Sequence, residues 1–138
     1  MRRILVIDDD KFVRTSIRAV LEGAGYDVSD AGDAYAGIQM QRTHPFDAAI
    51  IDLVMPQKEG LETIRELKQE YPEFPIIAIS GGGEIVKKNF VEVAELFGAA
   101  ATLEKPFGGE ELLSTLHTAI INANNPSSIP PNANTAIA

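Results

Sequence analysis

Two rhythms of apolar residues alternate along this chain. Short, nearly continuous runs rich in Ile, Val and Ala fill residues 3 to 7, 48 to 51, 76 to 79 and 100 to 103, and a short alternating stretch covers residues 26 to 31. Runs of this length, each succeeded by helical spacing, predict buried parallel strands. The stretches between them carry the helical rhythm. Residues 11 to 22 predict a first helix with Phe12, Ile17, Val20 and Leu21 on its buried side, capped by Asp10 and stopped at Gly23-Ala24-Gly25. Asp33 caps a second helix that runs through Ile38 and Met40 to Thr43 and ends at His44-Pro45. Leu53 to Gly60 reads as loop. Leu61, Ile64, Leu67 and Lys68 give a third helix, closed by Tyr71-Pro72. After the glycines 81 to 83, Val86, Phe90, Val93 and Phe97 share one face of a fourth helix that Gly98 closes. A fifth spans residues 109 to 121, with Leu112, Leu113, Leu116 and Ile120 inward.

The order is therefore strand then helix, five times over. Strict alternation implies an α/β fold: a doubly wound parallel five-stranded sheet with helices on both faces and right-handed crossovers. Five such units suit the flavodoxin-like (βα)5 order 2-1-3-4-5, in which strands one and three are neighbours at the switch point. Residues 1–121 make one domain, and residues 122–138 form a flexible Asn/Pro/Ser-rich tail without charge or periodicity. No internal repeat is visible.

The residues just past each strand carry the chemistry. Strand one runs into Asp8-Asp9-Asp10, strand three into Asp52, strand four into Ser80 and strand five into Glu104-Lys105-Pro106. Ligands of an open parallel sheet bind beyond the carboxyl ends of its strands, so these residues should converge. Carboxylates crowd together only with a cation between them. The set predicts a hard divalent metal, best matched by Mg2+ with its oxygen ligands and retained waters, and an anionic guest near Lys105. With a metal on Asp9 and Asp52, a carboxylate oxygen could attack a phosphoryl group in line and form an aspartyl phosphate. Lys105 would supply a second positive charge, Ser80 a hydrogen bond, and the Gly81-Gly82 amides an anion-holding nest.

In these residues the chain resembles the receiver domain of bacterial two-component response regulators. The matching motifs are Ile4-Leu5-Val6-Ile7-Asp8-Asp9-Asp10, Asp52-Leu53-Val54-Met55-Pro56 with Gly60, Ile79-Ser80-Gly81 and Leu103-Glu104-Lys105-Pro106-Phe107, in family order over residues 1 to 121. The 2-1-3-4-5 order is already the known one for that family, so the resemblance implies it too. It further implies that Asp52 is the phosphoacceptor. Asp9 would hold Mg2+ directly, Asp8 largely through water, and Val54 through its backbone carbonyl. Ser80 would be the switch hydroxyl and Lys105 the partner of the phosphoryl group, on a turn set by a cis Lys105-Pro106 bond. The implied partners are a histidine kinase or histidine phosphotransfer protein as donor and a downstream protein target, in the cytoplasm. A homodimer is left open. One residue departs from the pattern: Thr102 stands where many members carry Tyr or Phe, so the aromatic relay of the switch is missing. No effector domain comes after residue 121, as in a stand-alone receiver or a chain cut before one.

Composition narrows the rest. A formal net charge of -8 over 138 residues argues against direct nucleic-acid binding and against an anionic membrane surface. With no cysteine, thiol chemistry is excluded, and with only two separated histidines the chain offers a poor donor set for zinc or copper. No run approaches the roughly 18 apolar residues of a membrane span. Three other readings compete. A Mg2+-dependent phosphohydrolase would want an acid at position 54, where Val54 stands. A flavin module would find its phosphate repelled by Asp8-Asp9-Asp10. A degenerate, docking-only receiver is kept alive by Thr102. Val54 and Gly82 bring no polar side chain to orient water, which predicts slow hydrolysis of the acyl phosphate. Val91, with Leu103 and Thr102, is either part of a partner-facing surface or a stray exposed apolar residue.

Overall fold

The computed structural model describes residues 1–53, 60–81 and 92–124. Five strands, β1 (Arg3–Ile7), β2 (Asp27–Ala31), β3 (Ala48–Asp52), β4 (Ile76–Ser80) and β5 (Ala101–Glu104), pair in parallel in the order β2-β1-β3-β4-β5. The helices are α1 (Lys11–Gly23), α2 (Ala34–Thr43), α3 (Gly60–Glu70), α4 (helical over residues 92–97) and α5 (Gly109–Asn124). This is the doubly wound, flavodoxin-like arrangement that the alternation implied.

Alternation within each strand divides the core in two. Leu5, Ile7, Ala49, Ile51, Ile76 and Ala78 face Ile38 of α2, Ile64 and Leu67 of α3 and Ala94 of α4. Ile4, Val6, Ile50, Ile77, Ile79 and Leu103 face Ile17 and Leu21 of α1 and Leu112 and Leu116 of α5. A strand covered on both faces has no polar side to show, which is why β1, β3 and β4 read as unbroken apolar runs. Both expected caps form: Asp10 Oδ1 accepts from the Phe12 N–H at 2.9 Å, and Asp33 Oδ1 from the Ala36 N–H at 2.8 Å.

Several expectations shift. Phe12 is 87% exposed. The stripe that α1 turns inward is Val13, Ile17, Val20 and Leu21, at spacings i, i+4, i+7 and i+8, and Phe12 lies off it. Leu103 is buried against α5, so it belongs to the core and not to a partner-facing surface. β3 and β4 each run one residue further than expected, taking Asp52 and Ser80 into the ladder opposite Ile79 and Glu104. α5 continues three residues past Ile121. Val54, Gly82, Gly83, Val86, Phe90, Val91 and residues 125–138 lie outside the described residues.

Two long cations stitch the loops at the amino ends of the strands. Arg3 donates from Nη1 to the carbonyls of His44 and Pro45 at 3.1 and 2.7 Å and stacks on the Phe46 ring, its guanidinium carbon 4.3 Å from the centroid. Lys68 donates from Nζ to the carbonyls of Pro72 and Phe74 at 2.6 and 3.0 Å. Burial pushes the Lys68 ammonium below its usual range, against a smaller upward pull from Glu73.

Candidate functional site

Register decides which side chains meet at the other end of the sheet. Ile7 pairs with Ala31 on one side and Ile51 on the other, so the next residue along β1, Asp8, emerges level with Asp52 of β3. Asp52 pairs with Ile79, which puts Ser80 one step beyond it on β4, and Ser80 pairs with Glu104, the residue before Lys105. The Lys105 N–H donates to the Ser80 carbonyl at 2.8 Å and extends that ladder into the turn, whose Lys105-Pro106 peptide is cis. Four strand ends thus deliver their terminal side chains to one rim.

The rim holds an unusual concentration of charge. Ligand oxygens of Asp8, Asp9 and Asp52 all lie within 4.8 Å of one another. Asp8 and Asp52 are buried, while Asp9 is exposed and opens the cluster to solvent. Lys105 reaches over them, with Nζ 3.2 Å from Asp8 Oδ2 and 3.8 Å from Asp52 Oδ2. Among the described residues, three carboxylates meet one ammonium here, an excess of formal negative charge that a divalent cation would offset. Asp8 Oδ1 accepts from the Asp10 N–H at 2.9 Å, whereas Oδ2 meets Lys105 as an ion pair without hydrogen-bond alignment and has no donor among the described residues. An all-oxygen set with an open lone pair on a buried carboxylate is the kind of donor set that suits Mg2+, and Asp8, Asp9 and Asp52 are the residues that could hold such an ion.

Ser80 is 1% exposed, and its hydroxyl has no hydrogen-bond partner among the described residues. Burying a hydroxyl unpaired costs about 1–3 kcal/mol, and such a group in a folded protein calls for an explanation. An acceptor oxygen brought to the rim beside Asp52 would satisfy it.

Close backbone approach fixes Asp52 from below. A Cβ placed on Gly60 would lie 2.1 Å from the Asp52 carbonyl oxygen and 2.6 Å from the Leu53 Cα. Only glycine lets the first residue of α3 sit there, where its N–H donates to the Leu53 carbonyl at 3.0 Å.

The structure therefore brings together Asp8, Asp9, Asp52, Ser80 and Lys105. Val54, expected as a backbone ligand, lies outside the described residues, as does Gly82 of the expected anion nest. Asp10 caps α1 and does not join the cluster. His44 and His117 are exposed and far apart in the fold's layout, at the end of α2 and on α5. Sequence reasoning missed Arg14 and Asp30. Arg14 donates from Nη1 to the Asp8 carbonyl at 2.7 Å and from Nε to Asp30 Oδ2 at 2.7 Å. The available signal was one of several basic residues, four positions after Asp10, which by itself says little.

Comparison with known proteins agrees with this geometry. A family model described as the response regulator receiver domain matches residues 4–117. The response regulator MprA of Mycobacterium sp. (strain KMS) is 35% identical over 129 residues, covering 93% of this chain and 54% of that protein. The chain thus spans about half the length of such relatives. Among solved structures, a CheY-like response regulator receiver domain protein from Methanospirillum hungatei JF-1 superposes with a TM-score of 0.82 at 26% identity, covering 90% of this chain and 97% of that one. Chemotaxis protein CheY4 of Vibrio cholerae gives 0.78 at 30% identity, covering 86% and 98%.

Proposed function

The chain belongs to the response regulator receiver domain family of two-component systems, a family of signalling modules, and from that membership we propose that Asp52 accepts a phosphoryl group from a partner histidine kinase or histidine phosphotransfer protein. The observation that carries the reading is the convergence of Asp8, Asp9 and Asp52 within 4.8 Å under the Lys105 ammonium.

A carboxylate oxygen of Asp52 attacks the phosphorus in line. The bond from phosphorus to the donor nitrogen breaks as the new oxygen–phosphorus bond forms, and the electron pair leaves with the donor imidazole, which takes its proton from solvent. The transition state is loose, so positioning and charge neutralisation do most of the work. Asp8, Asp9 and Asp52, with the Val54 carbonyl, would hold Mg2+, whose charge offsets that of the phosphoryl oxygens. Lys105 lies within ion-pair reach of both buried carboxylates and neutralises the phosphoryl group from its own side. Asp52 is nearly enclosed, which limits the access of hydrolytic water.

Ser80 couples chemistry to conformation. Its hydroxyl, without a partner among the described residues, gains an acceptor when a phosphoryl oxygen arrives, so phosphorylation favours the arrangement in which the two meet. Thr102, partly exposed on β5, offers no aromatic ring to accompany that movement, so the switch runs through Ser80 and the backbone joined to it. The altered surface then engages a downstream protein. The net charge of -8 keeps this acidic domain off nucleic acid. No helix among the described residues is long and apolar enough to cross a membrane, and a cytoplasmic setting belongs to the same proposal.

Incubation with Mg2+ and acetyl phosphate, then intact-mass measurement, tests the reading. The wild type should gain one phosphoryl group and Asp52→Asn none. Turnover of many equivalents of a phosphomonoester would point to the phosphohydrolase instead. No uptake by the wild type would point to a docking-only receiver.

A further inference from the structure

We propose that Arg14, held in place by Asp30, is a positioning residue that sets the divalent-cation affinity of the acidic pocket by fixing the peptide between Asp8 and Asp9. The inference rests on the reading of that pocket as a Mg2+ site.

Each backbone group at the end of β1 needs a partner, and the two on Asp8 find theirs in different places. The Asp8 N–H still reaches the Ala31 carbonyl at 3.2 Å, but the Asp8 carbonyl accepts the Arg14 guanidinium, Nη1 to O at 2.7 Å. A peptide unit is planar, so anchoring its carbonyl orients the Asp9 N–H at its other end and constrains the path into Asp9. One hydrogen bond from α1 therefore sets how the buried acid and the exposed acid of the pair stand relative to each other.

Arg14 is itself held. Its Nε donates to Asp30 Oδ2 at 2.7 Å, and Asp30 Oδ1 accepts from Arg18 Nη1 at 2.7 Å. Asp30 sits near the end of β2, the strand next to β1, so the clamp joins α1, β2 and the tip of β1. Gly32 leaves room for it: a Cβ there would lie 3.1 Å from Arg14 Nη1. The loop is gripped a second time, because the Asp10 N–H donates to Asp8 Oδ1 and the Arg14 N–H to the Asp10 carbonyl at 3.1 Å. A guanidinium suits this post because its fixed fork can face a carboxylate and a carbonyl together, which the single nitrogen of an ammonium does less well.

The sign of the effect separates positioning from charge. Arg14 is a cation near a cation site, so removing its charge alone should draw Mg2+ tighter. Loss of the clamp should loosen it, by the roughly 10–100-fold that partners of metal ligands typically contribute.

The test is calorimetric titration of the full chain with MgCl2 alone, with circular dichroism confirming that each variant is folded. Arg14→Gln should raise the Mg2+ dissociation constant about 10–100-fold, and Asp30→Asn should raise it in the same direction while leaving Arg14 itself in place. Arg42→Gln, on α2 and paired with Glu66 and Glu70, removes the same charge without touching the clamp, and should leave affinity unchanged or slightly tighter. A folded Arg14→Gln or Asp30→Asn that binds Mg2+ as well as the wild type, or better, overturns the clamp. A wild type that takes up no Mg2+ overturns the pocket reading, and the clamp with it.

Discussion

Substituting Gly60 by alanine probes how closely the fold is built around Asp52. The new Cβ would start 2.1 Å from the Asp52 carbonyl oxygen, so the gap must open by at least about 1.3 Å to reach an ordinary contact near 3.4 Å. Neither side can give that distance freely. On the strand side, Asp52 is in register with Ile79, and the Leu53 N–H donates to the Ile79 carbonyl at 3.0 Å. On the helix side, α3 carries Leu61, Ile64 and Leu67 into the core. Overpacking of this kind costs about 1–3 kcal/mol. The better helix propensity of alanine returns at most about 1 kcal/mol, and less at a first helical residue. With about 0.5 kcal/mol returned, Gly60→Ala should lower Tm by roughly 2–12 °C for a domain of this size. Because the displaced atoms belong to Asp52, Mg2+ affinity should fall as well. Gly23→Ala is the control, since a Cβ there meets nothing within 4 Å. Thermal denaturation with and without Mg2+ reads both effects. A Gly60→Ala protein that melts with the wild type and binds Mg2+ equally well would refute the close approach.

Other parts of the structure give three further outcomes. Ile50 is fully buried in the central strand, so Ile50→Ala should cost about 2–5 kcal/mol in urea unfolding, and a loss below about 1 kcal/mol would contradict its place in the core. Arg42 of α2 hydrogen-bonds Glu70 of α3 and holds its carboxylate below the usual 4.5, a contribution present above that pH and lost as pH falls through the folded value. The Tm advantage of the wild type over Glu70→Gln should accordingly be present near neutrality and shrink as acidification protonates Glu70, and a gap that stays constant down to full protonation would show that the pair is not its source. Val54 and Gly82 carry no polar side chain to direct water at the acyl phosphate, so the purified phosphoprotein should lose its phosphoryl group slowly, and release within seconds would contradict this.

The strands were legible because burial on both faces leaves nothing but apolar residues between Arg3 and Asp8, or between Asp47 and Asp52. The site was legible for the same reason: a polar residue that ends such a run stands at the carboxyl edge of the sheet. What escaped depends on the third dimension. Phe12 and Val13 are neighbours in sequence, and only the angle at which α1 leaves Asp10 decides which of them turns inward. Leu103 looked available because β5 is an edge strand, but alternation turns it toward α5. The Arg14–Asp30 clamp joins residues 16 positions apart and exists only because β2 lies beside β1. Periodicity carries no trace of such a contact.

The stitching by Arg3 and Lys68 gives the molecule a footing. Both bind main-chain carbonyls of connections that feed strands at their amino ends, far along the strands from Asp8, Asp52 and Ser80. A sheet bolted at its base and buried along its three central strands has little slack to absorb a disturbance. In the proposed reading, a change at Asp52 is then expressed at the carboxyl edge of the sheet, the edge at which a partner would sense it.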